Sequence, residues 1–191
     1  RRPRRVFVNS MSDLFHEDIS SEYISAVFGI MSACPQHTFQ ILTKRPERAA
    51  VWFKNERGLE ICAETCKELD AIGFERGCGS AFDPSDWPLK NVWLGVSVED
   101  QETADERIPT LLRMPAAVRF LSCEPLLGPI TLNPWLLSEH GRRQIEAQRG
   151  LSWVIVGGES GPGARPFAIE WAHDIIGQCR SAAVSVFVKQ L

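Results

Sequence analysis

The 191-residue chain has no run of about eighteen apolar residues, the length a helix needs to cross a bilayer. No signal-peptide pattern opens it either. Together these absences set the expectation of a cytoplasmic protein with no membrane partner. Histidine is scarce at four residues, and His16 and His37 stand alone, so each is expected in a loop or cap rather than as a catalytic base. No Gly-x-Gly-x-x-Gly or Walker A pattern follows any apolar run, which argues against a dinucleotide sheet or a P-loop. Gly-x-Ser-x-Gly is missing too, so no nucleophile elbow is expected. A formal net charge of -3 supplies no global field that would recruit nucleic acid. The basic group Arg1, Arg2, Arg4 and Arg5 reads as a solvated lead-in to a strand.

Paired Cys-x-x-Cys knuckles, the usual mark of a zinc site, are also absent. Of the six cysteines, Cys34, Cys123 and Cys179 lie in apolar surroundings, as reduced buried thiols do. Cys62, Cys66 and Cys78 form the only cluster, and they are the sole metal candidates this chain offers. The six tryptophans fall at core or helix positions, which favours packing over base stacking.

What is present is a strand–helix rhythm. Six short, β-branched, non-alternating apolar runs read as parallel strands covered on both faces: 6–9, 38–42, 92–98, 118–122, 153–156 and 185–188. Helical patterns fall between them. Ser20 to Ala33 carries Ile24, Val27, Phe28 and Met31 on one stripe, with Asp18 or Ser20 as the N-cap. Pro46 opens a second helix, where proline is welcome. Gln101 to Arg113 is a third, which Pro109 is expected to kink or break. Ile169 to Ala182 is a fourth. The stretches 55–88 and 133–150 read as insertions. This alternation predicts an α/β fold, a single (β/α) domain over 1–191 built as a partial TIM-like barrel of about six parallel strands. The chain begins with Arg and runs at once into a strand, so an N-terminal segment of the barrel is expected to lie upstream.

Ligands of parallel α/β folds bind beyond the carboxyl ends of the strands. The first strand runs out into Ser10, Ser12 and Asp13, the second into Lys44 and Arg45, and the third into Ser97 and Glu99. The fourth exits at Glu124, and the fifth at Gly157, Gly158, Glu159 and Ser160, followed by Arg165. The last exits at Lys189. These are the candidate site residues. Carboxylates would accept from an amine or a hydroxyl, and Lys44 and Arg165 would take a carboxylate or phosphate. The competing reading is a rim whose charges satisfy one another.

The same strings carry a resemblance. VNSMSDLF (8–15), QILTKRP (40–46), NVWLGVSVE (91–99), RFLSCEPLLG (119–128), WVIVGGESG (153–161) and FVKQ (187–190) are similar to a phage- and prophage-related bacterial family of unknown function with a radical-SAM-like barrel. That resemblance implies a three-cysteine [4Fe–4S] loop upstream of this region and S-adenosylmethionine as cofactor. It implies that this chain is the C-terminal part of a radical-SAM-like enzyme, supplying walls that hold cofactor and substrate. A nucleotide or nucleic-acid substrate follows from the phage context, not from charge. The alternative is a non-catalytic barrel that binds a nucleotide or another phosphorylated ligand at the same rim.

Overall fold

The structure, a computed structural model, describes residues 2–72, 87–136 and 150–190. Its elements are β1 (Arg5–Val8), α1 (Ser21–Ala33), β2 (Thr38–Thr43), α2 (Pro46–Phe53), α3 (Glu56–Ala71), β3 (Val92–Ser97), α4 (Gln101–Arg113), β4 (Val118–Cys123), β5 (Trp153–Gly157), α5 (Ile169–Ser181) and β6 (Ser185–Gln190). Six parallel strands alternate with helices in an α/β fold, and strand order in the sheet follows the chain from β1 to β6. The chain divides into two compact units, Arg1–Leu94 with Met114–Ala117 and Gly95–Arg113 with Val118–Leu191.

In the first unit β1 pairs with β2 from Arg5 opposite Thr38 to Val8 opposite Ile41. Ser20 caps α1 by accepting from the Tyr23 N–H at 3.2 Å. The helix buries Ile24, Phe28 and Met31, and Phe28 stacks on Trp52 at 4.5 Å between ring centroids. The front of the expected insertion is a 16-residue helix, α3, lying against α1. A Cβ on Gly29 would sit 2.7 Å from the Thr65 Cβ and 3.0 Å from the Cys62 carbonyl, so only glycine allows the two helices this close. The Cys62 and Cys66 thiols donate to the Ser25 and Gly29 carbonyls of α1 at 3.1 and 3.3 Å. Cys78 lies outside the described residues.

The second unit carries β4 against β5, with Phe120 opposite Trp153 and Cys123 opposite Val156, and β5 against β6. Ala172, Ile175 and Cys179 form the buried face of α5. Asp100 caps α4, its carboxylate accepting from the Thr103 N–H at 2.9 Å. The expected break does not occur: α4 runs through Pro109. The carbonyl that Pro109 leaves without a helical donor belongs to Asp105, an exposed residue, so water can serve it.

The outermost strands also depart from the expectation of burial on both faces. Each of them pairs with only one neighbour in the strand order. Phe7 on β1 is 41% exposed and Phe187 on β6 is 52% exposed. Inside the second unit packing is tight. The fully buried Phe120 ring lies over Gly95, where a Cβ would come within 2.6 Å of it, and contacts Trp153 at 5.6 Å. Gly95→Ala is expected to cost about 1–3 kcal/mol through overpacking. Urea unfolding followed by tryptophan fluorescence reads this, and an unchanged midpoint would refute it.

Candidate functional site

At the end of β1 the chain turns sharply. Asn9 adopts a left-handed conformation, φ 58°, and its side-chain amide donates to the Ser12 hydroxyl at 3.0 Å. Ser10 and Ser12 stay exposed on this turn. Asp13 instead faces inward, its side chain 13% exposed. Its carboxylate accepts from the Phe15 N–H at 2.9 Å, the Thr43 hydroxyl at 2.8 Å, the Lys44 N–H at 3.0 Å and the Arg45 guanidinium at 3.2 Å. Five donor–acceptor contacts, counting both oxygens toward Thr43, fill the carboxylate. Asp13 therefore ties the β1–α1 loop to the end of β2, and its oxygens are committed to that task. Thr43, 1% exposed, is the partner that strand-end reasoning passed over.

The second unit gathers charge at four successive strand ends. Glu99, just past β3, is 8% exposed. One carboxylate oxygen accepts from the Ser97 hydroxyl at 3.1 Å and the other from Arg107 at 3.0 Å. Arg107 reaches back from α4 and also donates to the Ser97 carbonyl at 2.8 Å. Glu124, just past β4, accepts from the Lys189 ammonium at 2.8 Å. Its side chain also lies against β5: a Cβ on Gly157 would be 3.5 Å from the Glu124 carboxyl carbon.

Lys189 owes its direction to a bulge. Val156 pairs with Val188 but Gly157 pairs with Gln190, so Lys189 is the extra residue. Bulges of this kind re-aim a side chain and are common beside functional sites. Gln190 then closes the edge, donating from its amide to the Gly158 carbonyl at 3.0 Å and accepting from the Gly158 N–H at 3.1 Å.

Past β5, Glu159 takes three bonds from one residue, Arg165: the backbone N–H at 2.8 Å, Nε at 2.8 Å and Nη2 at 2.9 Å. Hydrogen bonds from the Arg165 side chain, then from its N–H, hold the Glu159 carboxyl down at about 2. A depressed carboxyl of this kind favours the paired state above the ordinary carboxylate range, and the pairing is lost as pH falls through about 2. The charge of Glu99 also reaches Arg165, adding to the pull of Glu159 that raises the guanidinium. Ser160, Gly161 and Gly163 of this loop are exposed, the two glycines with φ of +101° and +81°.

The second unit thus brings together Ser97, Glu99, Glu124, Gly157, Gly158, Glu159, Arg165 and Lys189. Arg107 was not foreseen. Its signal was a helical position two turns beyond the Asp100 cap, facing back toward the strand. Cys123, buried behind this rim, has its thiol pushed up by burial, then by Cys179 and the charge of Glu99. Burial likewise pushes Cys62 up to about 12 and Cys179 to about 11, so these thiols stay protonated and un-nucleophilic at neutral pH. Among the described residues no group of three or more His, Cys, Asp or Glu side chains is placed to hold a metal ion. Among them, too, no helix is long and apolar enough to cross a membrane.

No curated protein and no solved structure matches the chain. Its whole length, residues 1–191, matches the pattern of a family described as proteins of unknown function, DUF5131, and the chain belongs to that family.

Proposed function

We propose that the rim of the second unit is a ligand site, and that the chain forms the ligand-holding wall of a radical-SAM-like enzyme of phage or prophage kind. One observation carries this reading: glutamates at three successive strand ends each pair with a cation at the carboxyl edge of a parallel sheet, where such folds bind ligands. A bulge that turns Lys189 onto Glu124 supports it.

S-adenosylmethionine fits the donor set. Glu159 or Glu124 suits its ammonium, Arg165 or Lys189 its carboxylate, and the Gly157–Gly158 backbone allows close approach. When bound with a reduced cluster, this cofactor supplies radical chemistry. The described residues do not fit the [4Fe–4S] cluster itself. The Cys62 and Cys66 thiols are committed to α1 carbonyls.

A second reading, a non-catalytic barrel binding a nucleotide or phosphorylated ligand, draws on the same guanidinium, since its planar fork also suits phosphate. Calorimetric titration of the chain with S-adenosylmethionine and, separately, with ATP separates the two. Saturable S-adenosylmethionine binding, weakened tenfold or more by Lys189→Met, is the expected result. ATP binding alone would move the conclusion to the second reading, and silence from both ligands would sink both.

A further inference from the structure

The three ion pairs of the rim are not equivalent. Glu99–Arg107 joins β3 to α4, and Glu124–Lys189 joins β4 to β6, so each holds two elements together. Glu159–Arg165 joins a loop only to itself, across six residues. Its side chains are also the most open of the three as a pair, 31% exposed for Glu159 and 54% for Arg165. Gly161 and Gly163 between them have left-handed φ and nothing within 4 Å of where a Cβ would stand, so the loop can rearrange without collision.

A backbone N–H and a guanidinium fork aimed at one pair of oxygens form a built oxyanion receptor. We propose that the loop 157–165 is such a receptor, that Glu159 occupies it as an internal stand-in, and that the true occupant is the anionic group of a zwitterionic ligand.

Charge arithmetic gives the ligand class. Glu99 is paired with Arg107 and Glu124 with Lys189, and Glu159 is paired with Arg165 of its own loop. An incoming anion takes the positive charge of Arg165 and frees the negative charge of Glu159. A ligand that carries a cation beside its anion satisfies both, as an α-amino acid group does. A simple anion satisfies only one and strands Glu159. This inference deepens the reading above, resting on it for where the ligand lies and not for its adenosyl part.

The test uses small probes on the full chain: acetate, inorganic phosphate and glycine, followed by the NMR signal of the backbone N–H of residue 165. In the unaltered chain glycine is expected to bind at least tenfold more tightly than acetate. In Glu159→Ala the seat is open, so acetate or phosphate binding strengthens tenfold or more while glycine loses its advantage over acetate. Adding Arg165→Gln to Glu159→Ala abolishes all three. Preference for acetate over phosphate in Glu159→Ala identifies a carboxylate ligand, and the reverse a phosphorylated one. Equal glycine and acetate binding in the unaltered chain would overturn the proposal, as would an unimproved seat in Glu159→Ala. Because no probe carries an adenosyl group, failure of S-adenosylmethionine binding and failure of this receptor are separate results.

Discussion

Asp13→Ala is expected to destabilise the first unit by about 3–4 kcal/mol, far more than an average surface substitution. The carboxylate is nearly enclosed and serves two backbone N–H groups, one hydroxyl and one guanidinium. Removing it leaves the Thr43 hydroxyl, 1% exposed, without this acceptor, and releases the Phe15 and Lys44 N–H groups together. Each hydrogen bond to a charged acceptor contributes about 1.5–3 kcal/mol, but bonds to one carboxylate do not add, which sets the figure well below their sum. Asp13→Asn keeps one acceptor oxygen and is expected to cost about 1–2 kcal/mol. Arg45→Met removes a half-exposed partner, 39% exposed, and is expected to cost less than about 1 kcal/mol. Urea unfolding read through the aromatic cluster around Trp52 gives all three values. Equal losses for Asp13→Ala and Arg45→Met would show that the ion pair, not the backbone anchoring, carries the effect.

That ranking explains which parts of the site the sequence displays. The strand exits are legible because apolar runs stop abruptly at polar residues, and parallel folds collect function there. Their partners are not. Glu124 and Lys189 stand 65 positions apart, and the bulge that joins them depends on a register of β5 and β6 that no local pattern encodes. Asp13 looked like a ligand contact for the same reason that it is a tie: a carboxylate at a strand end suits either use, and only the positions of Thr43 and the Lys44 N–H decide. Helix α3 escaped notice because its inward stripe, Gly58, Cys62, Thr65 and Cys66, is made of small residues and thiols rather than large apolar ones. The close approach demanded by Gly29 favours that choice, since larger side chains would hold the helices apart. Pro109 did not break α4: the lost helical bond leaves the carbonyl of Asp105, an exposed residue that water can serve.

Arg107→Met should produce the largest loss in the second unit, about 3–5 kcal/mol at neutral pH. The cost comes from what remains: a Glu99 carboxylate 8% exposed that has lost the guanidinium beside it. Glu99→Gln combined with Arg107→Met removes the stranded charge, and it is expected to recover most of the loss. Recovery in the double variant would mean that this pair shapes the rim without being indispensable to the fold. A loss under about 1 kcal/mol in Arg107→Met would show that Glu99 has enough solvent and other donors to stand alone. In that case the rim is held by its backbone contacts, such as the Leu127 N–H donating to the Glu99 carbonyl at 2.7 Å.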